Sequence, residues 1–190
     1  MRYLIYLLPL MFFITACGGG SSEQEQQAES TATEAQSSAD QSSDVRTIEI
    51  TGVDQMKFVV EGEAEGITIG DPVAGGMPLL ETITASPGEE IRIVLTTESD
   101  LPASAMAHNF VLMTMEADVQ AFVNAASKAR DNEYIPSDMS DQIIAHTDLA
   151  AGGETVEVTF TAPEETGEYE FICSFPGHYA AGMKGILKVE

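Results

Sequence analysis

Cys173-Ser174-Phe175-Pro176-Gly177-His178-Tyr179-Ala180-Ala181-Gly182-Met183 sets a thiol, an imidazole and a thioether within eleven residues of chain. A second imidazole, His108, lies 65 residues upstream in Met106-Ala107-His108-Asn109-Phe110. One thiolate, two imidazoles and a distant thioether are the donor set of a mononuclear blue-copper site. That mixture suits Cu(I) and Cu(II) alike, so little has to move when an electron is exchanged. A long, weak thioether contact then tunes the potential. Pro176, Gly177 and Gly182 supply the bends that turn Cys173, His178 and Met183 inward from one loop. Taken alone, Cys173 would read as a buried structural thiol; its spacing to His178 and Met183 favours ligation instead. His146 has no ligand-type neighbour in sequence and reads as an exposed or locally hydrogen-bonded histidine.

On either side of these ligands the chain alternates with period two. Ile48 and Ile50, then Ile91, Ile93 and Leu95, then Val156, Val158 and Phe160, then Tyr169, Phe171 and Cys173 each mark a strand with one buried face. Ser86-Pro87-Gly88, Gly152-Gly153 and the stretch from Ala162-Pro163 to Gly167 separate them as turns. Val119, Phe122, Val123 and Ala126 fall at i, i+3, i+4 and i+7, which predicts one amphipathic helix over residues 117–130. Short strands interrupted by a single helix predict an all-β, antiparallel Greek-key sandwich with one core over residues 46–190.

The two ligand segments resemble the azurin and auracyanin branch of the cupredoxins. The resemblance extends to Asp54-Gln55-Met56 followed by Phe58, to the helical stretch after Ala117-Asp118, and to Ile144-Ala145-His146-Thr147, and it covers most of residues 46–190. It implies a plastocyanin/azurin-like domain holding one type 1 copper through His108, Cys173, His178 and Met183, with the Ala107 carbonyl as a weak further axial contact. It also implies that Asn109 ties the two ligand loops together and donates its backbone N–H toward the thiolate, as Phe175 does. His178 is then the ligand whose ring edge reaches toward solvent, within an apolar docking patch of Met56, Met106 and Phe175. Three differences stand out: four residues separate His178 from Met183 where azurin has three, Ala107 replaces a glycine, and azurin's disulfide has no counterpart. Residues 61–79 read as an insertion, an edge loop or flap.

The front of the chain is of another kind. Arg2 precedes a mostly apolar run to Ala16, too short to span a bilayer and matching a signal peptide. It ends Ile14-Thr15-Ala16-Cys17, which resembles a lipobox, so residues 1–16 are expected to be removed and Cys17 lipidated. From Cys17 to residue 45 the chain is mostly Gly, Ser, Gln, Glu, Ala and Thr, with Asp40 and Asp44, no aromatic residue and Val45 as the one branched aliphatic, the composition of a disordered acidic tether. An exported protein anchored by lipid in the periplasm or at the cell surface follows.

The formal charge is −23, and residues 46–190 hold 25 acids against seven bases. Nucleic acid is excluded as a partner on that balance. Most of the acids read as solvated surface, and an acidic face would also steer basic redox partners such as cytochromes or membrane complexes. A monomeric electron carrier rather than an enzyme is expected, because a metal with all positions filled offers none to substrate. The alternatives are a copper carrier with no electron-transfer role and an electron-donating subunit of a copper enzyme. Three histidines with no His-x-His pair leave no ligands for a second metal.

Overall fold

The computed structural model describes residues 45–73 and 75–190. The expected signal peptide, the lipidation residue Cys17 and the tether up to residue 44 lie outside the described residues. Those described form strands β1 (Arg46–Val53), β2 (Lys57–Val59), β3 (Ile67–Pro72), β4 (Pro78–Ala85), β5 (Glu90–Glu98), β6 (Ala107–His108), β7 (Val111–Met113), β8 (Ile143–His146), β9 (Ala150–Ala151), β10 (Thr155–Thr161), β11 (Gly167–Ile172) and β12 (Lys184–Val189). Helix α1 (Val119–Ala126) stands between β7 and β8.

The strand order is β10-β5-β1-β2-β4-β12-β11-β7-β8, with β3 added to β4 and a separate β6–β9 pair. The path folds into two layers that share one core. Ile48, Ile50, Ile91, Ile93 and Leu95 come from one layer, and Leu80, Ile83, Phe171, Leu187 and Val189 from the other. Alternation along β5 buries Ile91, Ile93, Leu95 and Thr97, while the residues between them face outward. Ile91, Ile93 and Leu95 each contribute about 1.5–3 kcal/mol on leaving water. The fold is the expected cupredoxin-like sandwich, but its pairing is mixed. β1 runs parallel to β5 and β12 parallel to β4, because long connections rather than hairpins join these partners.

Two segments differ from expectation. The helix is shorter than 117–130. Asp118 caps it, its Oδ1 accepting the Ala121 amide at 3.0 Å. At the far end the apolar period stops at Ala126, and the Lys128 and Ala129 amides turn back to the Ala125 and Ala126 carbonyls. Residues 61–79 are not a loose flap. They carry β3, an edge strand on β4 with register shifts around Ile69, and its Pro72 sits where an edge tolerates a missing N–H.

The pairing of β7 with β11, Val111 to Ile172 and Leu112 to Phe171, brings the two ligand segments together. Below them Phe58, Phe110 and Phe171 pack ring on ring. Phe110 stacks on Phe171 at 5.0 Å and Phe58 meets Phe171 edge-on at 5.8 Å. Phe110 lies two residues after His108 and Phe171 two before Cys173, so the same aromatic core anchors both ligand strands.

Candidate metal centre

His108 enters from β6, Cys173 follows β11, and His178 sits on the loop between β11 and β12. The Cys173 Sγ lies 3.4 Å from His178 Nδ1 and 3.9 Å from His108 Nδ1. The three donor atoms fall within 4.8 Å of one another. The two imidazoles are tilted by 45° with centroids 4.9 Å apart. Cys173 and His108 have no exposure and His178 retains 2%.

Burial sets the protonation. Desolvation pushes the Cys173 thiol up to about 12, against the pull of the Asn109 and Phe175 backbone N–H groups that point at its sulfur. Desolvation lowers His108 to about 3; His178 nearby adds to this and Asp54 opposes it. His178 is lowered to about 4 by desolvation alone. Both imidazoles are therefore neutral near pH 7, each with a lone pair to offer, and a metal on Nδ1 leaves the proton on Nε2. A thiol in this apolar pocket ionises only with a cation beside it.

The residues fit copper. Two donors sharing an ion at bonds of roughly 2.0 and 2.3 Å in a trigonal array stand about 3.7 Å apart, between the two sulfur–nitrogen distances found. Sulfur and two imidazoles form the mixed set that accommodates both copper oxidation states.

Surrounding groups hold the set in place. Asn109 Oδ1 accepts the Ser174 amide at 2.9 Å, and its Nδ2 donates to Ser174 Oγ at 2.8 Å. The Cys173 amide donates to the Met183 carbonyl at 3.1 Å, and the Met183 amide donates to the His178 carbonyl at 2.9 Å. Met183 is thus tied by its backbone to both loop ligands, and its side chain is fully buried. Gly177 and Gly182 take φ near +88° and +87°, backbone that a side chain would strain. Ala107 is buried on β6, opposite Ala151. His146 lies exposed at the end of β8, its Nδ1 3.0 Å from the Thr147 carbonyl.

The expected apolar collar is more enclosed than the sequence implied. Met106 and Phe175 are 7% exposed each, and Met56 is half-buried. The His178 ring edge reaches solvent only narrowly: the residue keeps 2% exposure, and the Phe175 ring flanks it at 4.7 Å. Tyr134 backs Phe175 edge-on at 5.0 Å. Tyr134 reaches this place because Glu133 and Tyr134 both adopt left-handed backbone, with φ of 52° and 62°, after α1; nothing in the local sequence signals it.

Ser174 and Gly52 were also missed. Ser174 is a small polar residue whose partner lies 65 positions away. Gly52 sits in β1 where a Cβ would come within 2.6 Å of His108 Cδ2. A glycine inside an alternating strand is a recognisable sign of such close approach.

Comparison with known proteins agrees with this geometry. The family model for copper binding proteins of the plastocyanin/azurin family matches residues 79–190. Azurin-1 of Alcaligenes xylosoxydans xylosoxydans is 42% identical over 104 residues, 53% of this chain and 78% of the relative. The azurin of Bordetella pertussis is 32% identical over 146 residues, 75% of this chain and 83% of the relative. The solved structure of auracyanin A, a "blue" copper protein from the green thermophilic photosynthetic bacterium Chloroflexus aurantiacus, superposes with a TM-score of 0.57 at 33% identity. That superposition covers 76% of this chain and 98% of the other. The family model, which spans the buried His108–Cys173–His178 cluster, and the relatives at these identities and coverages place the chain in the plastocyanin/azurin family of copper-binding proteins.

Proposed function

We propose that the chain is a single-electron shuttle rather than an enzyme, and that His108, Cys173 and His178, with the Met183 thioether as a weaker contact, would hold one copper ion. The Ala107 carbonyl would be a further weak contact. The observation that carries the reading is the buried His108–Cys173–His178 cluster, with every donor atom inside 4.8 Å. Copper held there supplies the one-electron Cu(I)/Cu(II) couple. The protein's part is to keep the donors still. Asn109 and Ser174 lock the two ligand loops together, and the phenylalanine core beneath fixes the strands that carry them. Backbone N–H groups of Asn109 and Phe175 draw electron density from the sulfur.

Electrons would leave through the edge of the His178 ring, beside Phe175 and next in the chain to the exposed Pro176 and Gly177. A redox partner would dock there, with Met56 and Met106 at the rim. The domain charge favours a partner with a basic face. Residues 46–190 form the working domain and residues 17–45 its acidic tether. A lipid on Cys17 would hold the exported monomer at a membrane, within reach of membrane-bound or diffusing partners.

Adding one equivalent of Cu(II) to the purified protein tests this. An intense visible charge-transfer band is expected, lost in Cys173→Ser, that bleaches on reduction and returns on oxidation. A colourless protein, or a band indifferent to Cys173→Ser, would sink the reading. A band that cannot be cycled would leave copper carriage without electron transfer.

A further inference from the structure

The β1–β2 hairpin touches both ligand-bearing segments. On its first strand Gly52 lies against the His108 ring. On its second, Lys57 turns its Nζ to the carbonyl of Ala181, 124 residues away in the loop between His178 and Met183. The turn joining them is tight: Met56 takes φ +55° and its amide donates to the Val53 carbonyl at 2.9 Å.

Asn109 holds the start of the ligand loop at Ser174, and Lys184 Nζ lies 4.8 Å from the centre of the Tyr179 ring; the backbone bonds from His178 to Met183 are the loop's own. The amides of His178, Ala181, Gly182 and Met183 donate to the carbonyls of Phe175, Gly177, Tyr179 and His178. The Ala181 carbonyl is satisfied from outside, by a half-buried ammonium. Gly182 is shaped to this contact as well as to its backbone angle. A Cβ there would stand 2.7 Å from Lys57 Nζ. Four of the domain's seven bases, Arg46, Arg92, Lys184 and Lys188, are paired with carboxylates; Lys57 is spent on a carbonyl of the ligand loop.

We propose that Lys57 is a positioning residue: it clamps the 179–182 turn, and through that turn sets where His178 and Met183 stand relative to Cys173. The link to the metal rests on the copper reading above; the clamp itself does not. A charged donor on a partly buried carbonyl is a strong hydrogen bond, and its removal frees the part of the loop that carries the extra residue between His178 and Met183.

The test uses the full chain and three variants: Lys57→Met, Lys57→Arg, and Lys128→Met as a charge-matched control in the turn after α1. In the metal-free proteins, hydrogen exchange of the Gly182 and Met183 amides should quicken about tenfold in Lys57→Met, the loss of one charge-assisted bond. Lys57→Arg should restore protection, and Lys128→Met should leave it unchanged. With Cu(II) added, the charge-transfer band should shift in Lys57→Met and return in Lys57→Arg. Wild-type protection of these amides in Lys57→Met would overturn the proposal. Equal effects of Lys57→Met and Lys128→Met on exchange and band would overturn it too, leaving net charge as the cause. If the wild-type chain takes no copper, the functional reading fails while the exchange measurement still decides the clamp.

Discussion

Asn109 and Ser174, 65 positions apart, exchange three hydrogen bonds: Ser174 N–H to Asn109 Oδ1 at 2.9 Å, Asn109 Nδ2 to Ser174 Oγ at 2.8 Å, and Ser174 Oγ to Asn109 Oδ1 at 3.2 Å. Both residues are buried, so neither group can turn to water instead. Asn109→Leu therefore leaves the Ser174 N–H unpaired, at a cost of about 1–3 kcal/mol. Denaturant unfolding of the metal-free protein should show this loss. Ser174→Ala keeps the amide bond to Oδ1 and should lose less. Equal stability of Asn109→Leu and wild type would contradict the arrangement.

Gly52→Ala should act on the metal more than on the fold. The added methyl would need the space of the His108 imidazole, whose Cδ2 lies 2.6 Å from its position. A ligand displaced by its neighbour typically costs 10–100-fold in metal affinity, roughly the size expected here. Competition titration with a copper chelator measures it. An unchanged affinity would mean that the ring and strand yield without consequence.

The folded-state values of His108 and His178, about 3 and about 4, lie below the ordinary 6.5. Between those limits the unfolded chain binds more protons than the folded one. The stabilisation from burying neutral imidazoles is therefore complete above about pH 6.5 and is lost as the pH falls toward 3. Each histidine adds a slope of about 1.4 kcal/mol per pH unit within that window. Metal-free unfolding curves at several pH values, compared with His108→Phe, should show a shallower slope in the variant.

Copper loading should release a proton. The Cys173 thiol is held up at about 12, so at pH 7 it is protonated until a cation takes its place. A weakly buffered titration should record about one proton released per Cu(II) bound, because both imidazoles are already neutral. Cys173→Ser should release none.

The acidic surface predicts a salt dependence of opposite sign for probes of opposite charge. With 25 acids against seven bases in residues 46–190, oxidation by a small cationic complex should slow as ionic strength rises. An anionic oxidant should speed up. Stopped-flow bleaching or recovery of the visible band follows both.

The ligand types and their spacing were legible in the chain itself. Cys173, His178 and Met183 share one loop, and the residues around them fix its bends locally through Pro176, Gly177 and Gly182. The strands were equally legible, because alternating burial writes period two into Ile91, Ile93 and Leu95. The helix was found from its apolar face, but its end was not, since a polar turn after Ala126 carries no strong stop signal. Pairing was decided only in three dimensions: the parallel register of β1 with β5, the edge strand within residues 61–79, and the Asn109–Ser174 lock depend on partners far along the chain. The same holds for Gly52 beneath His108, Lys57 on the Ala181 carbonyl and Tyr134 behind Phe175. Local sequence states what a residue is able to do; which group it meets is set by how the whole core closes, and that closure set the Phe175 ring against His178 and narrowed its exposure to 2%.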